Sequence, residues 1–503
     1  MSSLLSDEDE LFNGFGSETL KTGNHMARRV KRWNEISLQP KNSTDFVARD
    51  AIHEANFDDK DYVSPGQLYT TESGRLFHAG KILVALVGLP ATSKTLVSVA
   101  ISRYTKWLGV RTKLFHISEY RKNDTDIPDD YLSAEPQSNE GKIYKNQLVD
   151  KVINDMVFFF QETKGQIAIY DSLNIRKDDR RKVQEMFDRW GVTVIFIESI
   201  LKDIDLINKS IENAIDSSDY KNWDKQEALT NYKKRLALNE SLYETMTEAE
   251  NTSFIKYINF GQQIIVNNNH SGYLINKIVF FLMNLRDKKG RVYLGRCGTS
   301  ASDKYFDDEL LNEEGVRYSR VLTDTVLNRI KNIRKKQFIK VKNENIDIDE
   351  EFDPNSLIVW TGPRKRTYDT GLFFLEEGIE VRQRNQLRQL HPGAVGDLSE
   401  EEVQKAYPCE YKQSLIDQYH YRFPRAESYH DLAVRMEPLL LELEHMDKDV
   451  LIIAHESTLR ILYGYLMACT VIDVPKLQFT RNEIVELSFG PFCNTIEKIP
   501  LNI

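Results

Sequence analysis

Lys94 and Thr95 carry the most specific chemistry in the sequence. They follow Gly88 at the spacing of a phosphate-binding loop, in VGLPATSKT over residues 87–95. Backbone N–H groups gathered in such a loop at a helix N-terminus cradle phosphate oxygens. Lys94 would reach the outer phosphates of a nucleotide, and the Thr95 hydroxyl would hold Mg2+. One position departs from the pattern. Ser93 stands immediately before the lysine, where the pattern has glycine. If that backbone must be left-handed, a serine strains it; if not, Ser93 only adds a hydroxyl.

The elements around the loop fit this chemistry. Ile82 to Val87 is an apolar run of one buried strand, and Leu96 to Leu108 repeats apolar residues at helical spacing. Further strands are predicted at Thr112–Ile117, Gln166–Tyr170, Val192–Ile197 and Gly261–Val266. Helices are predicted over Gln147–Phe160, Asp178–Trp190 and Leu274–Leu285, with charged helices running to about Glu250. Alternation of this kind implies a mostly parallel sheet covered on both faces, with ligands at the carboxyl ends of its strands. Gly88, Tyr120, Arg121, Asp171 and Glu198 fall at or just past strand ends. Their convergence points to phosphoryl transfer, although Glu198 could equally cap a helix.

After a linker at Arg286–Gly290, a second alternating pattern begins. Its strands are Val292–Leu294, Ser356–Trp360 and Val450–Ala454, with a helix over Ser457–Leu466. Arg296, Arg366 and His455 follow those strands. Two guanidiniums and an imidazole at one sheet edge make a phosphate pocket. Residues 321–350 are strongly charged, and Asn343–Glu351 reads as an exposed acidic loop. Residues 1–78 are polar and only weakly periodic, and are expected to form a mostly disordered arm. The basic knot Arg28, Arg29, Lys31 and Arg32 reads as solvated charge.

A length of 503 residues suggests two or three domains, and 41% hydrophobic residues suffice for large cores. The net charge of −9 argues against a nucleic-acid partner. No apolar run reaches the ~18 residues of a membrane span, and MSSLLSDEDE has no secretory character. Cys297, Cys409, Cys469 and Cys493 are too few and too scattered for a disulfide scaffold or a zinc site. A reducing, cytoplasmic setting is expected.

In their tandem order the motifs resemble one family, the bifunctional 6-phosphofructo-2-kinase/fructose-2,6-bisphosphatases. The resemblance covers about Gly80 to Leu501. It rests on VGLPATSKT (87–95), SEYRK (118–122), YDSLN (170–174), FIES (196–199) and SFIKYINFGQQIIVN (253–267) in the first half. In the second half it rests on VYLGRCG (292–298), VWTGPRKRT (359–367), YRFPRAESYHDL (421–432) and HESTLR (455–460). It implies an α/β chain of three parts: an arm (1–78), a P-loop kinase domain (79–288) and a histidine-phosphatase domain of phosphoglycerate-mutase type (289–503).

The kinase half would move the γ-phosphate of ATP to O2 of fructose 6-phosphate, with Mg2+ as cofactor. By resemblance, residues 88–95 (Gly88, Leu89, Pro90, Ala91, Thr92, Ser93, Lys94, Thr95) and Asn174 hold the nucleotide. Lys94 and Asp171 are catalytic, Thr95 and Asp171 hold the metal, and Arg121 and Arg235 contact the sugar phosphate. Arg296, Arg366, Tyr411, Arg425, His455 and Arg460 would hold fructose 2,6-bisphosphate in the second half. A homodimer through the kinase half, or pairing with related chains, is also implied, with no nucleic-acid or membrane partner.

The chain departs from the family at the reacting positions. Ser93 replaces a glycine and Leu173 a threonine that contacts the sugar phosphate. Ile215, Tyr144 and Asn239 align with a lysine, an arginine and a tyrosine. The nucleophilic histidine of the phosphatase is Cys297, and its proton-donating glutamate is Gln389, whose amide has no acidic proton to give. Cations beside Cys297 would favour a thiolate, but without the acid a packed thiol is the plainer reading. The expectation is fructose 2,6-bisphosphate metabolism, with a weakened kinase and a phosphatase that binds without reacting. The alternative is a pseudoenzyme that senses ATP or sugar phosphates.

Overall fold

The computed structural model describes residues 80–502, apart from 122–126, 129, 132, 216–219, 221–222, 268–271, 303, 307–308, 343–352 and 491–493. The expected arm and the acidic run Asn343–Glu351 therefore lie outside the described residues. No described helix is long and apolar enough to cross a membrane.

Two six-stranded sheets organise the chain. The first contains β1 (Lys81–Val87), β2 (Thr112–His116), β3 (Ile167–Asp171), β4 (Val192–Ile200), β5 (Ser253–Ile258) and β6 (Gln263–Asn267). Its order is β2-β3-β1-β4-β5-β6, and only the β5–β6 pairing is antiparallel. Ile82 to Val87 are all buried because helices cover both faces of this central strand. The register sets Ala85 beside Tyr170 and Val87 beside Glu198, so β1, β3 and β4 end at one edge.

Helices α1 (Lys94–Trp107), α2 (Asn139–Gln161), α3 (Lys177–Asp188), α4 (Ile204–Ile215), α5 (Lys225–Glu240) and α6 (Tyr273–Asn284) accompany this sheet. The strand expected at Gly261–Val266 is β6, and its antiparallel hairpin partner β5 was not anticipated. Four of the six residues of β5 are buried, so the strand lacks the strict alternation that marks a half-exposed one.

The second sheet runs β12-β11-β7-β10-β8-β9. Its strands are β7 (Val292–Arg296), β8 (Leu357–Thr361), β9 (Glu380–Gln383), β10 (Asp449–Ala454), β11 (Glu483–Phe489) and β12 (Asn494–Pro500). Its helices are α7 (Glu313–Lys342), α8 (Lys365–Glu376), α9 (Glu400–Ala406), α10 (Pro408–Ile416), α11 (Tyr429–His445) and α12 (Glu456–Leu466). The charged stretch from residue 321 belongs to α7. That helix buries Tyr318, Leu322, Val326 and Ile330, a stripe at four-residue spacing.

One apolar cluster joins the two halves, with Trp107 and Phe281 from the first and Leu443 and Leu462 from the second. Tyr104 stacks on Phe281 at 4.5 Å, and Trp107 meets Tyr465 edge-on at 5.4 Å. Within this contact Arg103 Nη2 donates to Glu444 Oε1 at 2.5 Å, and Tyr465 Oη donates to the same oxygen at 2.7 Å. Helix α1 therefore begins at the phosphate loop and ends against the second half.

Candidate functional site

The phosphate loop turns sharply out of β1. Gly88 has φ +147°, and a Cβ there would lie 2.6 Å from the Ser199 carbonyl oxygen. Ala91 and Ser93 are both left-handed, with φ 64° and 57°. Position 93 therefore does require the permissive backbone, at a cost of about 1–2 kcal/mol for a residue other than glycine. The serine returns part of that cost, because its Oγ donates to Ser210 Oγ on α4 at 3.1 Å.

Lys94 opens α1 with its side chain almost fully buried at 9% exposure. Its Nζ donates to the Leu89 carbonyl across the loop at 2.5 Å. Burial pushes its pKa down to about 8, Asp171 pulls the other way, and Arg235 adds to the fall.

Asp171 ends β3 beneath the loop. Its Oδ2 accepts from Thr95 Oγ1 at 2.8 Å and lies 3.0 Å from His116 Nδ1. Burial favours the neutral acid, but His116, Lys94 and Thr95 together hold the carboxyl below its ordinary range. A hydroxyl and an ionised carboxylate side by side are the oxygen donors that Mg2+ takes, with substrate phosphates completing its shell. The described residues hold no cluster of three or more His, Cys, Asp or Glu able to bind a metal by protein ligands alone. The pair therefore fits a phosphate-borne cation.

These residues line a cavity of about 940 Å3. That is near the top of the range for small-molecule sites, with room for a nucleotide and a small acceptor. Arg235 on α5, Leu173 and Asn174 line it. The Asn174 side chain is also structural, since Nδ2 donates to the Leu86 carbonyl at 2.8 Å. Arg121 closes a 3-10 turn over Ile117–Arg121, but its side chain lies outside what is described.

Glu198 neither caps a helix nor lines the cavity. It is fully buried, accepting from the Tyr243 hydroxyl and the Met246 N–H, with Lys256 at 3.3 Å.

The other departures have become packing. Ile215 is buried in an apolar cluster with Ala91, Ile211, Tyr220, Ala228 and Tyr232. Tyr144 meets Tyr131 edge-on at 5.4 Å. Asn239 accepts the Ala134 N–H at 2.7 Å and donates to the Arg235 carbonyl at 2.8 Å.

Sequence reasoning missed further cations that line the cavity, Lys145 on α2 and Arg176 and Lys182 beside or on α3. Lys145 Nζ donates to the Ser133 and Ala134 carbonyls at 2.9 and 2.6 Å. Lys145 directly follows Tyr144, so a basic neighbour at the altered position was the available signal.

In the second half, the sheet edge brings Arg366 and His455 together. Both are 5% exposed, and Arg366 Nη2 lies 2.9 Å from His455 Nε2. Arg296 ends β7 beside Ala454, with its guanidinium 3.5 Å from Glu456 and donating to the Phe479 carbonyl. Glu456 thus sets a carboxylate among the cations.

Cys297 is 1% exposed and packs with Tyr293, Tyr318 and Leu322. Gln389 Oε1 accepts from Arg364 at 3.0 Å. Arg460 is committed to the Leu477 carbonyl, Tyr429 Oη and Glu456. Tyr411 donates to Glu400, and Arg425 is exposed in a left-handed turn. No described contact joins Tyr411 or Arg425 to the Arg366–His455 pair.

The state of Lys94 sets a pH dependence. Phosphate needs the ammonium, and a bound phosphate raises its pKa. Affinity for ATP is therefore expected to be level below about pH 8 and to fall above it, by at most about tenfold per unit. Stability moves the other way. An unfolded Lys94 titrates near 10.5, so the unfolded chain binds the extra proton between about 8 and 10.5, and this group's contribution to stability rises with pH across that window. Titration calorimetry from about pH 7 to about pH 9.5 checks the first trend; a flat affinity profile contradicts it.

Residues 69–289 match the 6-phosphofructo-2-kinase family, and residues 349–501 match branch 1 of the histidine phosphatase superfamily. The chain is 57% identical over 512 residues to a Saccharomyces cerevisiae protein named "Putative 6-phosphofructo-2-kinase/fructose-2,6-bisphosphatase", covering 100% of both chains. It is 30% identical over 447 residues to 6-phosphofructo-2-kinase/fructose-2,6-bisphosphatase 4 of Rattus norvegicus, covering 87% of this chain and 88% of that one. It is 29% identical over 433 residues to the fructose-2,6-bisphosphatase of Saccharomyces cerevisiae, covering 84% and 89%.

Proposed function

Because the chain belongs to the 6-phosphofructo-2-kinase/fructose-2,6-bisphosphatase family, a kinase domain followed by a histidine-phosphatase fold, we propose that it makes fructose 2,6-bisphosphate and does not hydrolyse it. Residues 79–288 would form the kinase unit and 289–503 the phosphatase-fold unit. The observation that carries the reading is Lys94, Thr95 and Asp171 together at one wall of the cavity.

In this reading the phosphate loop holds ATP, and Lys94 neutralises charge on its outer phosphates. O2 of fructose 6-phosphate bonds to the γ-phosphorus as the bond to the bridging oxygen of ADP breaks. Asp171, ionised at neutral pH, would accept a hydrogen bond from that hydroxyl and orient it, while its proton leaves through the transferred phosphoryl oxygens to solvent. Mg2+ held at Thr95 and Asp171 would supply further charge neutralisation. Such transfer depends mainly on positioning and electrostatics, and little on covalent chemistry by the protein. Arg235 with the cations of α2 and α3 offers the sugar phosphate its anchors.

In the second half the cations remain while the thiol of Cys297 faces the core and Gln389 has no acidic proton. Such a site is suited to holding a phosphate and unsuited to cleaving it. A cytoplasmic setting and a homodimer through the kinase half accompany this reading.

The test is fructose 2,6-bisphosphate formation from ATP and fructose 6-phosphate by the purified chain. Formation is expected, with a loss of about a hundredfold or more in Lys94→Ala. Product no higher than in that variant overturns the proposal. The packed states of Ile215, Tyr144 and Asn239 favour a second reading, binding without turnover. In that case calorimetry shows ATP binding while the assay stays silent.

A further inference from the structure

We propose that Tyr232 competes with nucleotide for the phosphate loop, because its hydroxyl occupies the Ala91 N–H, a donor that would otherwise serve a phosphate oxygen. The proposal rests on the nucleotide reading above and adds a restraint to it. Tyr232 projects from α5, and its Oη accepts the Ala91 N–H at 2.7 Å in a buried contact. Ala91 lies in the middle of the loop in a left-handed conformation. A loop of this kind binds anions because its N–H groups converge without partners of their own, and here one of them is already used.

The same pair of helices grips the loop at two more points. Ser210 on α4 accepts from Ser93 at 3.1 Å, and Ala91 packs in the apolar cluster with Ile211, Ile215 and Tyr232. Lys94, turned onto the Leu89 carbonyl, adds a contact within the loop itself. A phosphate oxygen is a stronger acceptor than a neutral phenol. A triphosphate can therefore displace the hydroxyl, but part of its binding free energy goes into breaking that bond. The restraint acts on any polyphosphate entering the loop and spares ligands without phosphates.

Removing the hydroxyl leaves the ring in the apolar cluster, so Tyr232→Phe takes away the competing acceptor alone. In calorimetry on the full-length chain, ATP with Mg2+ and inorganic tripolyphosphate are both expected to bind about three- to tenfold tighter to Tyr232→Phe. Adenosine is expected to show no gain. Tyr232→Leu, which keeps apolar bulk without the hydroxyl, is expected to shift affinity in the same direction. Binding by the wild type that both variants leave equal or weaker overturns this proposal and spares the nucleotide reading, since the phenol would then support the loop. Binding by the variants alone supports the proposal in its strongest form. No binding of ATP or tripolyphosphate by any of the three chains overturns both.

Discussion

Glu444→Ala is expected to destabilise the chain by about 3–5 kcal/mol, because it leaves the buried Arg103 charge uncompensated between the two halves. Arg103 is 8% exposed and Glu444 2%. Their contact is reinforced by the Tyr465 hydroxyl on the same carboxylate oxygen and by the Arg103 guanidinium over the Tyr465 ring. Lys288 adds to the seam by donating to the Leu443 and Met446 carbonyls.

The carboxyl of Glu444 also carries a pH signature. Burial pushes its pKa up, but Arg103 and Lys288 outweigh burial and hold it below the ordinary glutamate value. The contribution is therefore complete above that ordinary value and is lost as pH falls through the lower, folded value. Scanning calorimetry checks both points. The melting temperature of Glu444→Ala should lie several degrees below wild type at neutral pH, with the gap closing in acid. Equal melting at neutral pH would mean that this ion pair does not hold the halves together.

The second large effect lies at Gly88. The residue has φ +147°, and an added Cβ would sit 2.6 Å from the Ser199 carbonyl and 2.8 Å from Thr92 Oγ1. Neither neighbour can yield easily. Ser199 belongs to β4 and its Oγ donates to the Thr92 carbonyl at 2.6 Å, tying strand to loop. Gly88→Ala must therefore displace the loop itself. A shift of about 1 Å in positioning groups costs on the order of a hundredfold in rate, so kinase activity is expected to fall by about that factor. Steady-state assay of the variant, with a melting curve to confirm the fold, is the check. Retained activity would show that the loop tolerates displacement at its first turn.

Much of the candidate site was legible because its parts are local. The strand, loop and helix from Lys81 to Trp107 follow from one apolar run, one glycine and a Lys-Thr pair, and Asp171 follows from its place at a strand end. Other features were hidden for physical reasons. β5 is largely buried and shows no clean alternation, so only its hairpin partner β6 was read as a strand. Helix α7 carries so much charge that its stripe of Tyr318, Leu322, Val326 and Ile330 was passed over. The Ala91–Tyr232 bond spans 141 residues and the Arg103–Glu444 pair 341, so no local pattern announces either.

Ser93 shows the limit from the other side. Its departure from glycine was visible, but only the backbone angles show that the position is left-handed and that α4 supplies a partner for the added hydroxyl.

We propose that this chain retains the groups that hold and transfer phosphate in its first half, and only the groups that hold it in its second. The most direct measurement is one time course. The purified full-length chain is given γ-labelled ATP, Mg2+ and fructose 6-phosphate, and label is followed in fructose 2,6-bisphosphate and in inorganic phosphate. Label is expected to accumulate in the bisphosphate and stay there. Label that never reaches the bisphosphate, or that passes through it into inorganic phosphate, would contradict it.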